Sequence, residues 1–344
     1  MKKIIPVVLA ICMVLVFAAC TASTTTPDQS AETSQSATSE NTTTQPDNTQ
    51  SYQFGFSVPS LEFTYFSTMK TVIEKTYPKD GISVTVYDAG NNQEQQNHDI
   101  EDMISAGVDG IVLIPITVEG AAPAIKYANE KAVPVITVDR AVTAETGVDV
   151  VSFVGSDHYT MGKQAAELLI AALEAKFPNQ DTWSVVELEG TAGSSAAIDR
   201  GAGMNDRMAE DSRINITASL NGEFSTTTAT SVAEDVLTAH PDLNAFICHN
   251  DMMAEGCYQA LVNANMLGKV VIIGIDGQSS TVQKIVDGNI MGTVIQYPDK
   301  MALQGIELLA AYLNGETVED TYYIETESID SSNAKRFIDE GLAW

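Results

Sequence analysis

The chain has 344 residues, 44% of them hydrophobic, and a formal net charge of −28 at pH 7. This length is sufficient for one large or two medium hydrophobic cores. The negative charge argues against nucleic acid as a partner, because binding to a phosphate backbone requires clustered Lys and Arg side chains.

The first twenty residues have the order of an export signal. Two lysines precede the apolar run 4–17, and the small pair Ala18-Ala19 precedes Cys20. A small pair followed by cysteine resembles a bacterial lipobox, whose cysteine carries lipid after cleavage. We therefore predict a lipoprotein signal peptide at 1–20 and a lipid anchor at Cys20. A transmembrane anchor is the alternative, although the apolar run is short for a membrane span.

Residues 21–51 consist mainly of Thr, Ser, Gln, Asn, Glu and Pro. Such a segment cannot bury enough apolar surface to order itself. We expect a disordered tether that holds a folded domain away from a membrane.

From residue 52 onward, strand and helix patterns alternate with short connections, which is typical of parallel α/β sheets. Strands are predicted at 53–58, 83–88, 110–116, 133–139, 150–154, 183–188, 214–218, 245–249, 269–275, 290–295 and 322–326. Helices are predicted at 65–76, 93–105, 120–131, 160–176, 194–211, 226–239, 252–264, 279–287 and 301–313. The pattern restarts near Trp183, and one open sheet rarely exceeds about ten strands. We therefore predict an α/β fold with two doubly wound halves.

Polar and aromatic side chains follow the predicted strands, where open α/β sheets bind their ligands. Two of the five arginines of the chain are among them. The candidate ligand-binding residues are Ser57, Phe63, Tyr65, Phe66, Asp139, Arg140, Arg200, Phe224, Asn250, Asp276 and Gln296. Carboxylates, amides and guanidinium groups form planar, paired hydrogen bonds with neighbouring hydroxyls, and aromatic rings cover C–H faces. Together they predict an uncharged sugar as the ligand.

Each candidate also has a structural explanation. We expect Asp251 to cap the helix that follows it. The role of Asp276 could be limited to a turn with Gly277, and that of Arg140 to an ion pair with Asp139. Phe63 and Phe224 could belong to the hydrophobic core. The histidines 158, 240 and 249 show no catalytic arrangement, no zinc-ligand spacing is present, and Cys248 and Cys257 could form a disulfide or remain buried thiols.

Several motifs resemble ribose-binding proteins, which are type 1 periplasmic binding proteins of sugar ABC importers. They are PVITVDR at 134–140, GTAGSSAA with Arg200-Gly201 at 190–201, AHPD with HND at 239–251, GIDG at 274–277 and QYPD at 296–299. The resemblance runs in the same order from about residue 52 to 315.

This resemblance implies two Rossmann-like lobes that close on a pyranose as a hinge. The implied lobes are 52–153 with 297–324 and 154–296 with 325–344, joined by crossings at 151–156, 291–296 and 324–326. The implied hydrogen-bonding residues are Asp139, Arg140, Arg200, Asn250, Asp276 and Gln296, and the implied ring-stacking residues are Tyr65, Phe66 and Phe224. Phe63 stands where the family has asparagine, and Ile114 beside Pro115 where it has a polar residue. These departures leave the identity of the sugar open.

The expected function is that of a monomeric, lipid-anchored protein on the outer face of the cytoplasmic membrane, without cofactor, metal or catalysis. It would deliver a monosaccharide to an ABC permease. One alternative is a sensor that presents a sugar or an autoinducer-2-like ligand to a membrane receptor. A glycosidase using Asp139 and Asp276 is another, but we expect Arg140 and Arg200 to lower their pKa values, which does not suit a general acid. A lac-repressor-like regulator shares the fold, but an export signal stands where its DNA-binding headpiece would be.

Overall fold

The computed structural model describes residues 51–344. The predicted signal peptide, the predicted anchor Cys20 and residues 21–50 of the predicted tether lie outside the described residues. The described part of the chain contains two six-stranded sheets flanked by helices, which confirms the predicted α/β fold with two halves.

The first sheet is entirely parallel and has the strand order β11-β5-β4-β3-β1-β2. Its strands are β1 (Tyr52–Val58), β2 (Ile82–Asp88), β3 (Gly110–Leu113), β4 (Val135–Val138), β5 (Ser152–Gly155) and β11 (Thr321–Tyr323). The helices packed with it are α1 (Thr64–Thr76), α2 (Gln93–Ala106), α3 (Ala122–Glu130) and α9 (Pro298–Leu313). We call this half the N-lobe.

The second sheet has the order β12-β10-β9-β8-β6-β7 and is parallel except at its edge strand β12. Its strands are β6 (Trp183–Glu189), β7 (Ile214–Asn221), β8 (Ala245–Cys248), β9 (Val271–Ile273), β10 (Gly292–Ile295) and β12 (Glu327–Asp330). Its helices are α4 (His158–Lys176), α5 (Ser195–Ala209), α6 (Thr226–Ala239), α7 (Asp251–Asn263), α8 (Ser279–Val286) and α10 (Ala334–Asp339). We call this half the C-lobe.

The chain passes between the two sheets three times. The connections lie between β5 and α4, between β10 and α9, and between β11 and β12. Strand β5 pairs with β4 as far as Val154 and with β11 as far as Gly155, so Val154 and Gly155 belong to the N-lobe sheet. The lobe boundary expected between residues 153 and 154 lies two residues before the end of this strand.

The last thirty residues differ from the sequence prediction. The extended piece expected at 322–326 is the shorter strand β11, and the prediction contained neither β12 nor α10. Strand β12 pairs antiparallel with β10, and α10 packs on α8. Both elements are short, with four and six residues, and both depend on a partner element rather than on a strong local pattern.

The two lobes have cores on both faces of their sheets. Every residue of β3 and β4 in the N-lobe, and of β8 and β10 in the C-lobe, is buried. This explains the continuous apolar runs, because helices cover both sides of a parallel sheet. Cys248 and Cys257 lie in the C-lobe core as free thiols with their Sγ atoms 3.6 Å apart. Among residues 51–344, no helix is both long and apolar enough to cross a membrane.

Candidate ligand-binding site

A small cavity lies where the carboxyl ends of the strands of both sheets face each other. Ten of the eleven candidate residues line it, joined by Ala196 and Met252. The lining residues are Phe63, Tyr65, Phe66, Asp139, Arg140, Ala196, Arg200, Phe224, Asn250, Met252, Asp276 and Gln296. The cavity has a volume of about 30 Å³. That is far below the about 300–1,000 Å³ usual for small-molecule sites, so a sugar ring fits only if the lining side chains or the lobes move apart.

Ser57 is the candidate that lies outside this cavity. Its side chain is fully buried, and its hydroxyl accepts a hydrogen bond from Gln96 Nε2 at 3.3 Å. The same amide also donates to the carbonyl of Ile114 and accepts from the N–H of Ile116. Ser57 therefore points toward α2, where the Gln96 side chain joins the ends of β1 and β3. The Ser57 hydroxyl has a structural role inside the N-lobe.

Asp139 and Arg140 follow β4 and supply the polar groups of the N-lobe side. Asp139 has a φ of 61°, a conformation that is uncommon for residues other than glycine and that clusters at functional sites. Arg140 donates from Nη1 to the carbonyl of Ile116 at 3.2 Å, and its guanidinium carbon lies 5.4 Å and 5.3 Å from the ring centres of Phe66 and Phe224. Burial lowers the pKa of Arg140 to about 10, so the group stays charged at neutral pH.

Arg200 is held from several sides in the C-lobe. Its Nη1 donates to the carbonyl of His249 at 2.6 Å and lies 3.7 Å from Asp276 Oδ1, and its Nε donates to His158 Nδ1 at 3.3 Å. Helices α4 and α5 cross closely there. Gly162 of α4 lies against the carbonyl of Arg200 on α5, and any larger residue at position 162 would collide with that carbonyl. The close crossing places Arg200 and His158 within hydrogen-bonding distance of each other.

His158 connects the two lobes. Its Nδ1 accepts from Arg200, so its Nε2 carries the proton and donates to the carbonyl of Asp139 at 2.7 Å. Burial, reinforced by the charge of Arg200, holds the pKa of His158 well below its usual value. His158 is therefore a neutral bridge between the C-lobe arginine and the N-lobe strand end.

His249 supports Arg200 from behind. Its Nδ1 accepts from the N–H of Gly190, and its Nε2 lies 2.9 Å from Glu187 Oε1. Burial favours the protonated form of Glu187, but hydrogen bonds from His249, Ser219 and Asn205 lower its pKa overall. The sequence indicated no catalytic arrangement for His158 and His249, and the structure shows instead that both accept hydrogen bonds from Arg200, His158 through Nδ1 and His249 through its carbonyl.

Asn250, and not Asp251, caps helix α7. Asn250 Oδ1 accepts from the N–H of Met253 at 2.9 Å, while its Nδ2 donates to the carbonyl of Phe224 at 3.3 Å. The fully buried Asp251 is the first helical residue, and its carboxylate accepts from the N–H groups of Gly277 and Gln278 and from Thr293. The expectation that Asp251 caps the helix is wrong, because its side chain fixes the loop that carries Asp276.

Asp276 and Gln296 form a pair at the ends of β9 and β10. Gln296 Nε2 donates to Asp276 Oδ1 at 2.8 Å, and Asp276 has a φ of 138°. Burial raises the pKa of Asp276 to about 7 against the opposing charge of Arg200, and burial also raises the pKa of Asp139. The arginines act to lower these pKa values, as expected, but both carboxyl groups are almost fully removed from water and burial outweighs the arginines, so the net direction is upward.

Trp344 is a contact that the sequence prediction missed. Its indole Nε1 donates to the carbonyl of Asp276 at 2.8 Å, and its ring meets Tyr65 edge-on with centres 5.3 Å apart. Burial, together with the charges of Asp139 and Asp276, raises the pKa of Tyr65 well above its usual value, so the phenol is neutral. The tryptophan side chain thereby links the C-lobe loop to the N-lobe aromatic cluster. A lone tryptophan in an unpatterned segment provides no sequence signal for such a role.

Two further contacts join the lobes beside the cavity. The N–H of Ala141 donates to Ser195 Oγ at 2.8 Å, and the N–H of Val118 donates to the carbonyl of Gly193 at 2.9 Å. Ala141 and Val118 belong to the N-lobe, whereas Gly193 and Ser195 belong to the start of α5. The lobes are therefore in contact around the cavity.

Three polar atoms of the cavity-lining residues have no hydrogen-bond partner among the described residues. They are Asp139 Oδ1, Arg140 Nε and Gln296 Oε1, all buried. Buried polar atoms normally have partners, and leaving one unpaired costs about 1–3 kcal/mol. Two acceptors and one donor are thus available to a ligand that carries hydroxyl groups. Within residues 51–344 no cluster of three or more His, Cys, Asp or Glu side chains could hold a metal ion.

Comparison with known proteins identifies the family of the chain. A family model described as a periplasmic binding protein domain matches residues 54–317. The chain belongs to this family. The resemblance to type 1 periplasmic binding proteins is thereby confirmed, and the two-lobed fold is theirs.

The chain aligns with its relatives over most of its length. This periplasmic binding protein is 32% identical over 322 residues to a ribose import binding protein of Bacillus subtilis, covering 93% of this chain and 96% of that protein. It is 31% identical to a fructose import binding protein of Bifidobacterium longum, covering 83% and 86%. A solved solute-binding protein of an ABC transporter from Actinobacillus succinogenes, with bound D-allose, superimposes with a TM-score of 0.75 at 28% identity, covering 83% of this chain and 99% of that one.

Proposed function

We propose that this protein captures a monosaccharide between its two lobes outside the cytoplasm and delivers it to an ABC permease. One observation carries the proposal: six planar or charged hydrogen-bonding side chains from both lobes surround one small cavity that aromatic rings also line. Three of their atoms have no protein partner, and hydroxyl groups on a ring could occupy them. Each guanidinium group lies beside a carboxyl group, Arg140 beside Asp139 and Arg200 beside Asp276, so the cavity presents no cluster of one charge that would require an ionic ligand.

The ring faces of a sugar match the aromatic side chains of the cavity. The ring centres of Phe66 and Phe224 lie 5.4 Å and 5.3 Å from the guanidinium carbon of Arg140. Sugars carry hydroxyl groups around the rim and C–H groups on the faces, so a cavity for them combines planar polar groups with aromatic carbon. The names of the ribose and fructose import binding proteins among the relatives support the same class of ligand.

Closure of the lobes would create the surface that a permease recognises. The contacts of Ser195, Gly193 and His158 with the N-lobe form only when the lobes meet, and three chain crossings allow them to separate. Hinge closure around a ligand is a common conformational change of two-lobed proteins. We therefore assign ligand release to reopening of the cleft at the permease, with the sugar unchanged chemically.

The proposal includes a lipid anchor at Cys20 and a location on the outer face of the cytoplasmic membrane. This part of the proposal rests on the sequence of residues 1–20, in which two lysines are followed by an apolar run, two small residues and a cysteine. Mass spectrometry of the protein purified from membranes of a bacterial host tests it. We expect a mature chain that begins with a lipid-modified Cys20, and an unmodified or uncleaved chain would contradict the anchor.

Calorimetric titration with pentoses, hexoses and polyols tests the central proposal. We expect one sugar to bind at one site per chain, and at 100 times its Kd to stabilise the protein by about 2.7 kcal/mol. Incubation with nitrophenyl glycosides of the sugar that binds distinguishes binding from glycoside hydrolysis, because only hydrolysis of the glycosidic bond by water would release nitrophenol, and we expect none. Binding of amino acids or nucleotides instead of sugars would overturn the proposal.

A further inference from the structure

The polar groups around the cavity are distributed unevenly between the two lobes. In the N-lobe, the ends of three strands face the cavity region, but only the end of β4 contributes charged groups, Asp139 and Arg140. At the end of β1, the Ser57 hydroxyl is bonded to Gln96, and at the end of β3, the side chain of Gln96 satisfies the backbone around Ile114. Polar groups at these two ends are therefore turned inward and cannot reach a ligand.

The remaining N-lobe lining near these ends is aromatic carbon. Phe63 and Phe66 contact each other edge-on with ring centres 6.0 Å apart, and both are buried. Both rings line the cavity. Phe63 and Phe66 thus form an apolar wall without a hydrogen-bonding group of its own, and the ring of Tyr65 and the guanidinium of Arg140 lie beside Phe66.

A hydroxyl group directed at this apolar wall would lose its water without gaining a partner. A methyl or methylene group there would instead bury apolar surface, which is favourable. Hydrophobic pockets discriminate against a single added hydroxyl, or for a single methylene, by about 10-fold to 200-fold. The wall thus selects for a sugar that lacks one hydroxyl at the edge facing Phe63.

We propose that the ligand of this site is a deoxy sugar, and that Phe63 determines the preference for its deoxygenated carbon. This inference rests on the proposed function, because it specifies which monosaccharides the same cavity prefers. The six polar side chains would bind the hydroxylated part of the ring, and Phe63 and Phe66 would contact the carbon without a hydroxyl group. The opposite arrangement would bury a hydroxyl against two phenyl rings.

Matched sugar pairs test the proposal. The pairs are D-galactose and D-fucose, L-galactose and L-fucose, L-mannose and L-rhamnose, and D-ribose and 5-deoxy-D-ribose, each differing by one hydroxyl group. We expect the deoxy member of the pair that binds best to have a Kd at least 10-fold lower, measured by calorimetry. Equal affinities, or tighter binding of the hydroxylated member, would overturn the deoxy preference and leave the sugar-binding function intact. Absence of binding by every member and every other monosaccharide would overturn both.

Substitutions of Phe63 test its role directly. Phe63→Asn places donors and an acceptor at the wall and should reduce the preference within that pair by at least 10-fold, whereas Phe63→Leu keeps an apolar wall and should retain it. Leu61→Asn, in the same loop but outside the cavity lining, is the matched control and should leave the preference unchanged. An undiminished preference in folded Phe63→Asn would overturn the assignment of Phe63. If Phe63→Asn does not fold, Phe63→Gln, which also adds donors and an acceptor at the wall, decides by the same criterion.

Discussion

The two lobes line the same cavity with different chemistry. The C-lobe contributes polar side chains from four places along the chain, namely Arg200 on α5, Asn250 at the start of α7, and Asp276 and Gln296 after β9 and β10. Behind them, His158, the carbonyl of His249 and Asp251 accept buried hydrogen bonds that hold these groups or their loops in place. The N-lobe contributes polar groups from a single strand end and otherwise mainly aromatic carbon.

This difference indicates a division of tasks. Groups that are held by further hydrogen bonds are preorganised, so they bind a ligand with little loss of side-chain freedom. If the protein binds a sugar as proposed, we expect the C-lobe to set its orientation and most of the affinity. We expect the N-lobe to cover the ring when the cleft closes and to set which hydroxyl pattern is accepted. Substitutions in the C-lobe should consequently lower the affinity most, whereas substitutions in the N-lobe should change which sugars are preferred.

Replacing Arg200 should have the largest effect. Arg200→Ala removes the only guanidinium of the C-lobe side of the cavity and leaves Asp276 buried without its neighbouring charge, and breaking a buried charge pair costs about 3–5 kcal/mol. We expect a loss of sugar affinity of more than about 100-fold, measured by calorimetry. Arg207→Ala, on the same helix but partly exposed beside Glu167 and Glu210, is the control and should bind normally. Affinity within tenfold of the unmodified protein would contradict the division of tasks.

The pH dependence of the free energy of unfolding tests the raised pKa of Asp276 in the C-lobe. The folded protein retains this proton up to about pH 7, whereas the ordinary value of the group is 3.8, so between these values the folded state binds more protons than the unfolded chain. Its contribution to the free energy of unfolding therefore falls as pH rises through this interval. Asp276→Asn should remove that contribution and make the fall shallower by up to about 1.4 kcal/mol per pH unit.

Urea unfolding of the ligand-free protein from pH 4 to pH 8 measures this slope. Burial also raises the pKa values of Asp139 and Asp251, so these groups keep a residual slope of the same sign. Asp287→Asn, an exposed residue at the end of α8, is the control and should leave the slope unchanged. An unaltered or steeper fall in Asp276→Asn would show that the Asp276 carboxyl is ionised well below neutral pH.

Ser195 tests the contact between the lobes. Its hydroxyl accepts a hydrogen bond from the N–H of Ala141 and does not line the cavity. Ser195→Ala removes a hydrogen bond that joins the two lobes beside the cavity, and such a bond contributes about 1 kcal/mol. We expect sugar affinity to fall about fivefold, with Ser280→Ala on exposed α8 as a control that binds normally. Unchanged affinity would mean that this contact does not contribute to closure.

Ser57 should give the smallest effect on binding. Because its hydroxyl faces Gln96 inside the N-lobe, Ser57→Ala should lower the free energy of unfolding by about 0.5–1.5 kcal/mol and leave the Kd within twofold. Urea unfolding and calorimetry on the same preparation measure both quantities. A tenfold loss of affinity without a loss of stability would indicate that Ser57 contacts the ligand.

Strand-end reasoning located most of the cavity because it depends on a general property of parallel sheets. Residues after β8, β9 and β10 converge, since parallel strands of one sheet end at the same edge, and Asp139 and Arg140 lie at the corresponding edge of the other sheet, which faces them across the cavity. The rule does not specify which way a side chain near that edge points. Ser57 lies one residue before the end of β1 and faces inward, while Ala196 and Met252 line the cavity without any polar or aromatic signal in the sequence.

The sequence by itself determined the alternation of strands and helices, the division into two halves and the family, because each depends on local patterns or on motifs of consecutive residues. Only the tertiary structure decided that His158 bridges Arg200 to Asp139, that Asp251 fixes the Asp276 loop and that Trp344 contacts Tyr65. These contacts join residues that are distant along the chain, and each depends on how helices and loops pack. The pKa values of Asp139 and Asp276 were likewise decided by packing, because burial outweighed the charges of their neighbouring arginines.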